Sequence, residues 1–162
     1  RSIKLLGKCK NEDDAVVASV APRLLAPDHP LYNVSDVVNG ILVRGNMVGD
    51  LVFIGSGAGK LPTASAVVSD VVDSVRHLNV STTVMWDEEK LELEDFAQSK
   101  KQFFVRANVL KEEAEAVFGN VEYVDAGIEG EIGFITSKMS EKDFDERADK
   151  LGKVITRIRV EA

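Results

Sequence analysis

The sequence predicts an α+β fold, and three patterns predict it. Short β-branched runs fill the chain up to Ile54, an apolar period of about 3.6 residues runs from Ala64 to Leu78, and the stretch from Phe103 to Val160 reads in the order β-α-β-β-α-β. The first part is expected as a mixed or antiparallel sheet remnant closed by one helix. The second is expected as a four-stranded antiparallel sheet with two helices on one face, the split βαβ or ferredoxin-like arrangement.

Each element has its own local signal. Ile3–Lys8 and Ala15–Val20 are apolar, β-branched runs separated by the polar turn Lys10-Asn11-Glu12-Asp13-Asp14. Pro22 to Asn33 holds three of the four prolines, and because proline has no amide to give a ladder, this stretch reads as a surface loop. Val37–Arg44 and Met47–Ile54 follow as strands, and the Gly45-Asn46 pair between them predicts a two-residue hairpin turn. In the helix that comes next, Val67, Val68, Val71, Val72, Val75 and Leu78 share one face, which is expected to be buried, and Pro62 falls where a first-turn proline is tolerated.

Acidic residues crowd between Asn79 and Lys101, where the sequence predicts a solvated connection with one short strand around Thr82–Trp86. Beyond it, Phe103–Val109 alternates as a strand and Lys111–Phe118 reads as a helix stopped by Gly119. Val121–Ala126 and Glu131–Ser137 read as strands joined through Gly127 and Gly130. Ser140 to Asp143 resembles a capping box, and Val154–Val160 alternates as a closing strand.

With 162 residues, 44% apolar and 29% charged, the chain has the composition of a soluble globular protein. A net charge of −7 without a cluster of Lys and Arg argues against nucleic acid as a partner. The apolar runs are too short to span a bilayer, and no secretory signal opens the chain, so a cytoplasmic location is expected. The single cysteine, Cys9, agrees with a reducing compartment and reads as an ordinary strand residue. Arg1 stands first, and Ser2 to Gly7 already read as the inside of a folded element, so the chain is expected to be part of a longer protein.

One loop carries a chemical signal. Gly55-Ser56-Gly57-Ala58-Gly59-Lys60-Leu61-Pro62-Thr63 leads from a strand into the valine helix, so bare backbone amides and the positive end of a helix dipole converge there. A Walker A loop would need glycine at Ile54 and Ser or Thr at Leu61, and a dinucleotide fingerprint would need glycine at Lys60. Spacing alone leaves a tight structural turn and a ligand-contacting loop both open. Lys60 reads as a solvated helix-start lysine. His29, in the proline loop, and His77, at the end of the helix, are assigned structural roles, the latter suited to the helix dipole.

The stretch from Gly55 to Val72 resembles the glycine-rich strand-loop-helix near the end of the catalytic domain in homoserine dehydrogenases. Ile3-Lys4-Leu5-Leu6-Gly7, Val20-Ala21-Pro22-Arg23-Leu24-Leu25, His29-Pro30-Leu31 and Val38-Asn39-Gly40-Ile41 resemble that family in the same order. The resemblance covers residues 1–78. It implies an enzyme that interconverts L-aspartate 4-semialdehyde and L-homoserine with NAD(P), in threonine and methionine biosynthesis. It also implies that the last glycine of the loop, Gly59, with Gly57 and Ala58 beside it, contacts the cofactor. The family's dinucleotide-binding half, its catalytic lysine and its homoserine-holding carboxylates precede the segment matching Ile3–Gly7. No catalytic residue and no metal ligand is therefore assigned here, and the chain by itself is expected to be inactive and to hold no cofactor.

The later region resembles an ACT domain, giving expected parts of 1–79 (catalytic-domain portion), 80–100 (linker) and 101–162 (ACT-like domain). In ACT domains the turn after the first strand commonly contains Asp-x-Pro-Gly, where this chain has Asn108-Val109-Leu110-Lys111. Two readings follow: a regulatory module binding threonine between paired domains, or a module that only pairs subunits. A homo-oligomer, in the simplest case a dimer, is expected in either. The alternative to the enzyme reading is a non-catalytic ACT-type amino-acid-binding or dimerisation module.

Overall fold

A computed structural model describes residues 1–12, 15–80, 84–86, 88 and 90–161. The chain forms two compact units, one of Arg1–Pro27 with Lys90–Ala162 and one of Asp28–Glu89.

The first unit is built on one mixed sheet. Its strands are β1 (Ser2–Glu12), β2 (Ala15–Leu25), β5 (Glu92–Leu93), β6 (Phe103–Ala107), β7 (Glu122–Val124), β8 (Ile132–Ile135) and β9 (Val154–Glu161). The order is β1-β2-β9-β6-β8-β7, with β5 on β2. β1 and β2 pair antiparallel from Ser2↔Leu25 to Glu12↔Ala15. β2 then meets β9 in parallel through Arg23↔Arg159, Leu24↔Val160 and Leu25↔Glu161. From β9 onward every neighbour is antiparallel. Helices α2 (Lys111–Phe118) and α3 (Glu141–Leu151) complete the predicted β-α-β-β-α-β order.

These two helices exist because one face of each is apolar and finds the sheet. Phe103, Val105 and Ala107 of β6, Phe134 of β8, Ala114 and Phe118 of α2 and Phe144 of α3 form the buried core. Four phenylalanines run through it as a chain of tilted rings: Phe103–Phe144 at 4.5 Å, Phe144–Phe118 at 5.5 Å and Phe118–Phe134 at 5.4 Å between centroids. Thr136, fully enclosed, accepts from the Phe103 amide and donates to the Ser137 carbonyl, so its burial leaves no polar group unmet. Ser140 caps α3 by accepting from the Asp143 amide, and the Asp143 carboxylate returns to the Ser140 amide and hydroxyl. Arg147 of α3 donates to the Val117 and Phe118 carbonyls, meeting acceptors that the end of α2 leaves open.

The second unit holds β3 (Val38–Gly45), β4 (Gly49–Ser56) and α1 (Lys60–Arg76). β3 and β4 form a separate two-stranded sheet. No residue of α1 is buried, and every residue of β4 is exposed.

Four expectations are corrected. The proline-rich stretch is not loop from its start, because β2 continues through Pro22 to Leu25. Between Val17 and Pro22 the side of β2 away from β1 carries no paired strand among the described residues, which leaves room for a residue without an amide. The hairpin turn has three residues, Asn46–Val48, since Gly45 pairs with Gly49, whose φ is 75°. The apolar stripe of α1 is exposed rather than buried. Val84–Trp86 form no strand, while Thr82 lies outside the described residues; the strand of this connection is β5, further along.

Candidate functional site

The glycine-rich loop joins β4 to α1, as its spacing predicts, and every residue from Gly55 to Lys60 is exposed. Two of its glycines have separate physical reasons. Gly59 takes φ 112° and ψ 159°, a region essentially closed to residues with a Cβ, at the entry to the helix. Gly57 lies against Asn39 of β3, so closely that a Cβ there would fall 2.4 Å from Asn39 Nδ2. The loop is thus folded down onto its own hairpin at Gly57 and turned into the helix at Gly59. Ala58, between them, is exposed.

The helix that starts here presents an uncompensated positive end. No side chain caps it and no acidic residue occupies its first turn. Thr63 donates both its amide and its hydroxyl to the Gly59 carbonyl, at 3.1 and 2.8 Å, which fixes the first turn without using the earlier amides. Free N–H groups at a helix start favour an electron-rich group, and the bare glycines permit close approach. A nicotinamide dinucleotide, with its pyrophosphate and carboxamide, fits that donor set. Lys60 is exposed, as expected of a helix-start lysine.

The other residues singled out take structural places. His29 is buried, and its Nδ1 accepts from the Leu31 amide at 3.1 Å. His77 caps α1, with Nδ1 3.0 Å from the Asp73 carbonyl and 3.2 Å from its carboxylate. Cys9 is exposed on β1. Among the described residues no cluster of His, Cys, Asp and Glu has the makings of a metal site, and no helix is long and apolar enough to cross a membrane. An apolar concavity runs along α1, lined by Val67, Val71, Val75 and Leu78 with Asp70 and Ser74, and includes none of the loop residues.

Sequence reasoning missed a second polar centre, in the first unit. Glu141, at the start of α3, takes Arg159 Nε at 2.6 Å, Arg157 Nη2 at 3.3 Å and Lys101 Nζ at 3.5 Å. Burial opposes its charge, but the Arg159 hydrogen bond and the three cations outweigh it and hold the carboxyl below its ordinary range. Burial pushes the Lys101 ammonium below its ordinary value, against the pull of Glu141. Lys101 also donates to the Phe96 carbonyl at 2.6 Å and sits 3.2 Å from the centre of the Phe96 ring. Glu141 was legible only as a capping-box residue. Its burial and its partners come from segments far apart in the chain.

The turn after β6 departs from an open loop. Val109 is buried in the helical core, and the Asn108 amide is bound by the Lys153 carbonyl. Beside it, the Tyr123 hydroxyl is 3.0 Å from both the Lys111 carbonyl and Glu115 Oε1. Burial first, then the Glu115 hydrogen bond, push that phenol up to about 12.

Fold and loop define a class: an α+β chain whose exposed glycine turn opens onto the unshielded start of a long helix. Residues 1–72 match the family model for homoserine dehydrogenase. Over that stretch the chain is a member of the homoserine dehydrogenase family. It is 49% identical over 77 residues to the homoserine dehydrogenase of Synechocystis sp., covering 45% of this chain and 18% of that enzyme. A longer match, 32% identical over 123 residues, reaches 76% of this chain and 29% of the homoserine dehydrogenase of Helicobacter pylori. A crystal structure of a homoserine dehydrogenase from Thiobacillus denitrificans superposes with TM-score 0.78 at 25% identity, over 98% of this chain and 42% of that one. The likeness of fold therefore extends past the family match into the terminal β-α-β-β-α-β element. The chain spans less than a third of the length of the two relatives matched by sequence.

Proposed function

We propose that this chain is the carboxyl-terminal part of an NAD(P)-dependent homoserine dehydrogenase, an oxidoreductase that interconverts L-aspartate 4-semialdehyde and L-homoserine in threonine and methionine biosynthesis. The observation that carries the reading is the family match over residues 1–72, which includes the whole glycine-rich loop. Gly57, Ala58 and Gly59 line the cofactor side of that loop in this reading. Their exposure, the Gly-only backbone at Gly59 and the unshielded helix start support it.

When bound, the nicotinamide supplies or accepts the hydride that separates aldehyde from alcohol. The residues of this chain contribute closure over the dinucleotide: close backbone approach at the glycines and amide donors at the start of α1. Hydride transfer also needs the substrate held at near-attack distance, and none of the residues assigned here does that. The 162-residue chain is accordingly inactive alone.

The parts proposed are 1–79 for the catalytic-domain portion, 80–100 for the linker and 101–162 for an ACT-like domain of ferredoxin-like order, in a cytoplasmic, dimeric enzyme. The strand order β9-β6-β8-β7 with two helices supports the last. Threonine, the pathway end product, is the proposed effector there. Val109, packed into the core where that turn would have to open, favours a second reading in which the domain pairs subunits and binds nothing.

Two measurements test this. Aspartate semialdehyde and NADPH mixed with the chain should give no turnover, whereas restoring the upstream part of the protein should give homoserine; failure of the longer protein to do so overturns the enzyme reading. Calorimetry with threonine separates the two readings of the terminal domain. Silence at millimolar threonine leaves the pairing module.

A further inference from the structure

Arg23 lies in the stretch Val20–Leu25 through which the chain resembles its family, and the proposed chemistry does not use it. Its surroundings are unusual. The side chain is 4% exposed. Nη1 donates to Glu161 Oε2 of β9 at 3.0 Å, Nη2 donates to Ser19 Oγ of β2 at 2.8 Å, and the guanidinium carbon sits 5.6 Å from the centre of the Phe96 ring. Three chain segments meet on one guanidinium.

Each contact leads further. Glu161, itself 6% exposed, gives its other oxygen to Lys8 Nζ of β1 at 2.5 Å. Phe96 is shared by Arg23, Lys101 and Arg159, whose guanidinium carbon is 5.4 Å from the ring centre. Lys101 and Arg159 both reach Glu141 at the start of α3. The charges therefore form one connected series from β1 through β2 and β9 to α3, in which Arg23, Glu161, Lys101 and Glu141 are buried and Lys8 stands at the exposed end.

The backbone alone does not explain this junction. β2 and β9 share three residue pairs in parallel, Arg23↔Arg159 to Leu25↔Glu161, against eleven between β1 and β2. A parallel ladder that short has little pairing strength of its own. Loss of one member of a buried ion pair, in contrast, strands its partner in a poorly solvated place.

We infer that Arg23 is a positioning residue that makes β2, the Phe96–Lys101 segment and β9 one cooperative unit, so that a change of packing in the terminal β-α-β-β-α-β element is felt at β2. The inference goes beyond the proposed dehydrogenase function and does not rest on it, because its readout is structural.

Amide hydrogen exchange on the 162-residue chain tests it, with Arg23→Met, Arg23→Lys, Glu161→Gln and the double variant Arg23→Met/Glu161→Gln. Arg23→Met should speed exchange about tenfold, the order of an ordinary coupling between contacting residues, together in residues 19–25, 97–101 and 157–161. Residues 111–118 and 122–124 should keep their protection. Glu161→Gln should give the same pattern, the double variant little more than either single one, and Arg23→Lys an intermediate effect. Faster exchange confined to β2, or single effects that multiply in the double variant, would overturn the inference. Should Arg23→Met unfold the chain, Glu161→Gln and Arg23→Lys decide it by the same pattern.

Discussion

Gly59 and Glu141 show how one residue can be set by backbone in one place and by charge in another. At Gly59 the constraint is conformational: φ 112° with ψ 159° admits a Cβ only at a strain of about 1–3 kcal/mol. Gly59→Ala should therefore lower the unfolding midpoint of the chain and weaken NADPH binding by the longer enzyme; a thermal melt and a fluorescence titration check the two effects. At Glu141 the constraint is electrostatic. Its carboxyl is held below the ordinary 4.5 of a glutamate, so the unfolded chain binds the proton first as the solution is acidified. The stability it contributes is complete above that ordinary value and is lost as pH falls through the lower folded value. Glu141→Gln should cost about 3 kcal/mol near neutrality, because Arg159 and Lys101 lose their partner. It should also flatten the acid side of the stability profile in urea titrations, and an unchanged acid limb would contradict this account.

Among the elements, α2 with its sheet and α1 stand at opposite ends of a scale of packing. Phe118 lies in the chain of rings and is 1% exposed, so Phe118→Ala should cost about 3–5 kcal/mol and loosen α2 and α3 together. Val68 of α1 is 61% exposed, and Val68→Ser should change the stability of this chain by less than about 0.5 kcal/mol in the same denaturation assay. A valine-rich helix with no buried residue is held by little beyond its own ladder, its Thr63 and Ser74 back-bonds and the His77 cap. The hairpin β3–β4 is in the same position, since an isolated two-stranded sheet is marginal in water.

For the whole molecule, the consequence is an apolar surface that calls for cover. Ile41, Phe53 and Ile54 on the hairpin and Val67, Val71 and Val75 on α1 are each more than half exposed. Patches of that kind drive association. Sedimentation of the 162-residue chain should show concentration-dependent self-association, reduced by Phe53→Lys, and a clean monomer at high concentration would count against it.

The sequence by itself determined most elements whose cause is local, though not the length of the β3–β4 turn. α2 is read to the residue, with the Gly119 stop at its end, and α3 starts where Ser140 and Asp143 place it. The glycine turn, its family and its place before the helix were legible as well, because they depend on neighbours a few positions away. Only the tertiary structure decided what lies far apart in the chain. It joined β2 to β9 across more than a hundred residues, and it brought Arg23, Glu141 and Glu161 into a buried ionic junction that no local pattern marks. It also left the valine stripe of α1 uncovered, since periodicity states that a helix has a face to bury and not what buries it. The reason is the same in each case: hydrogen-bond periods and caps act over a few residues, while burial and charge pairing are properties of where distant segments meet.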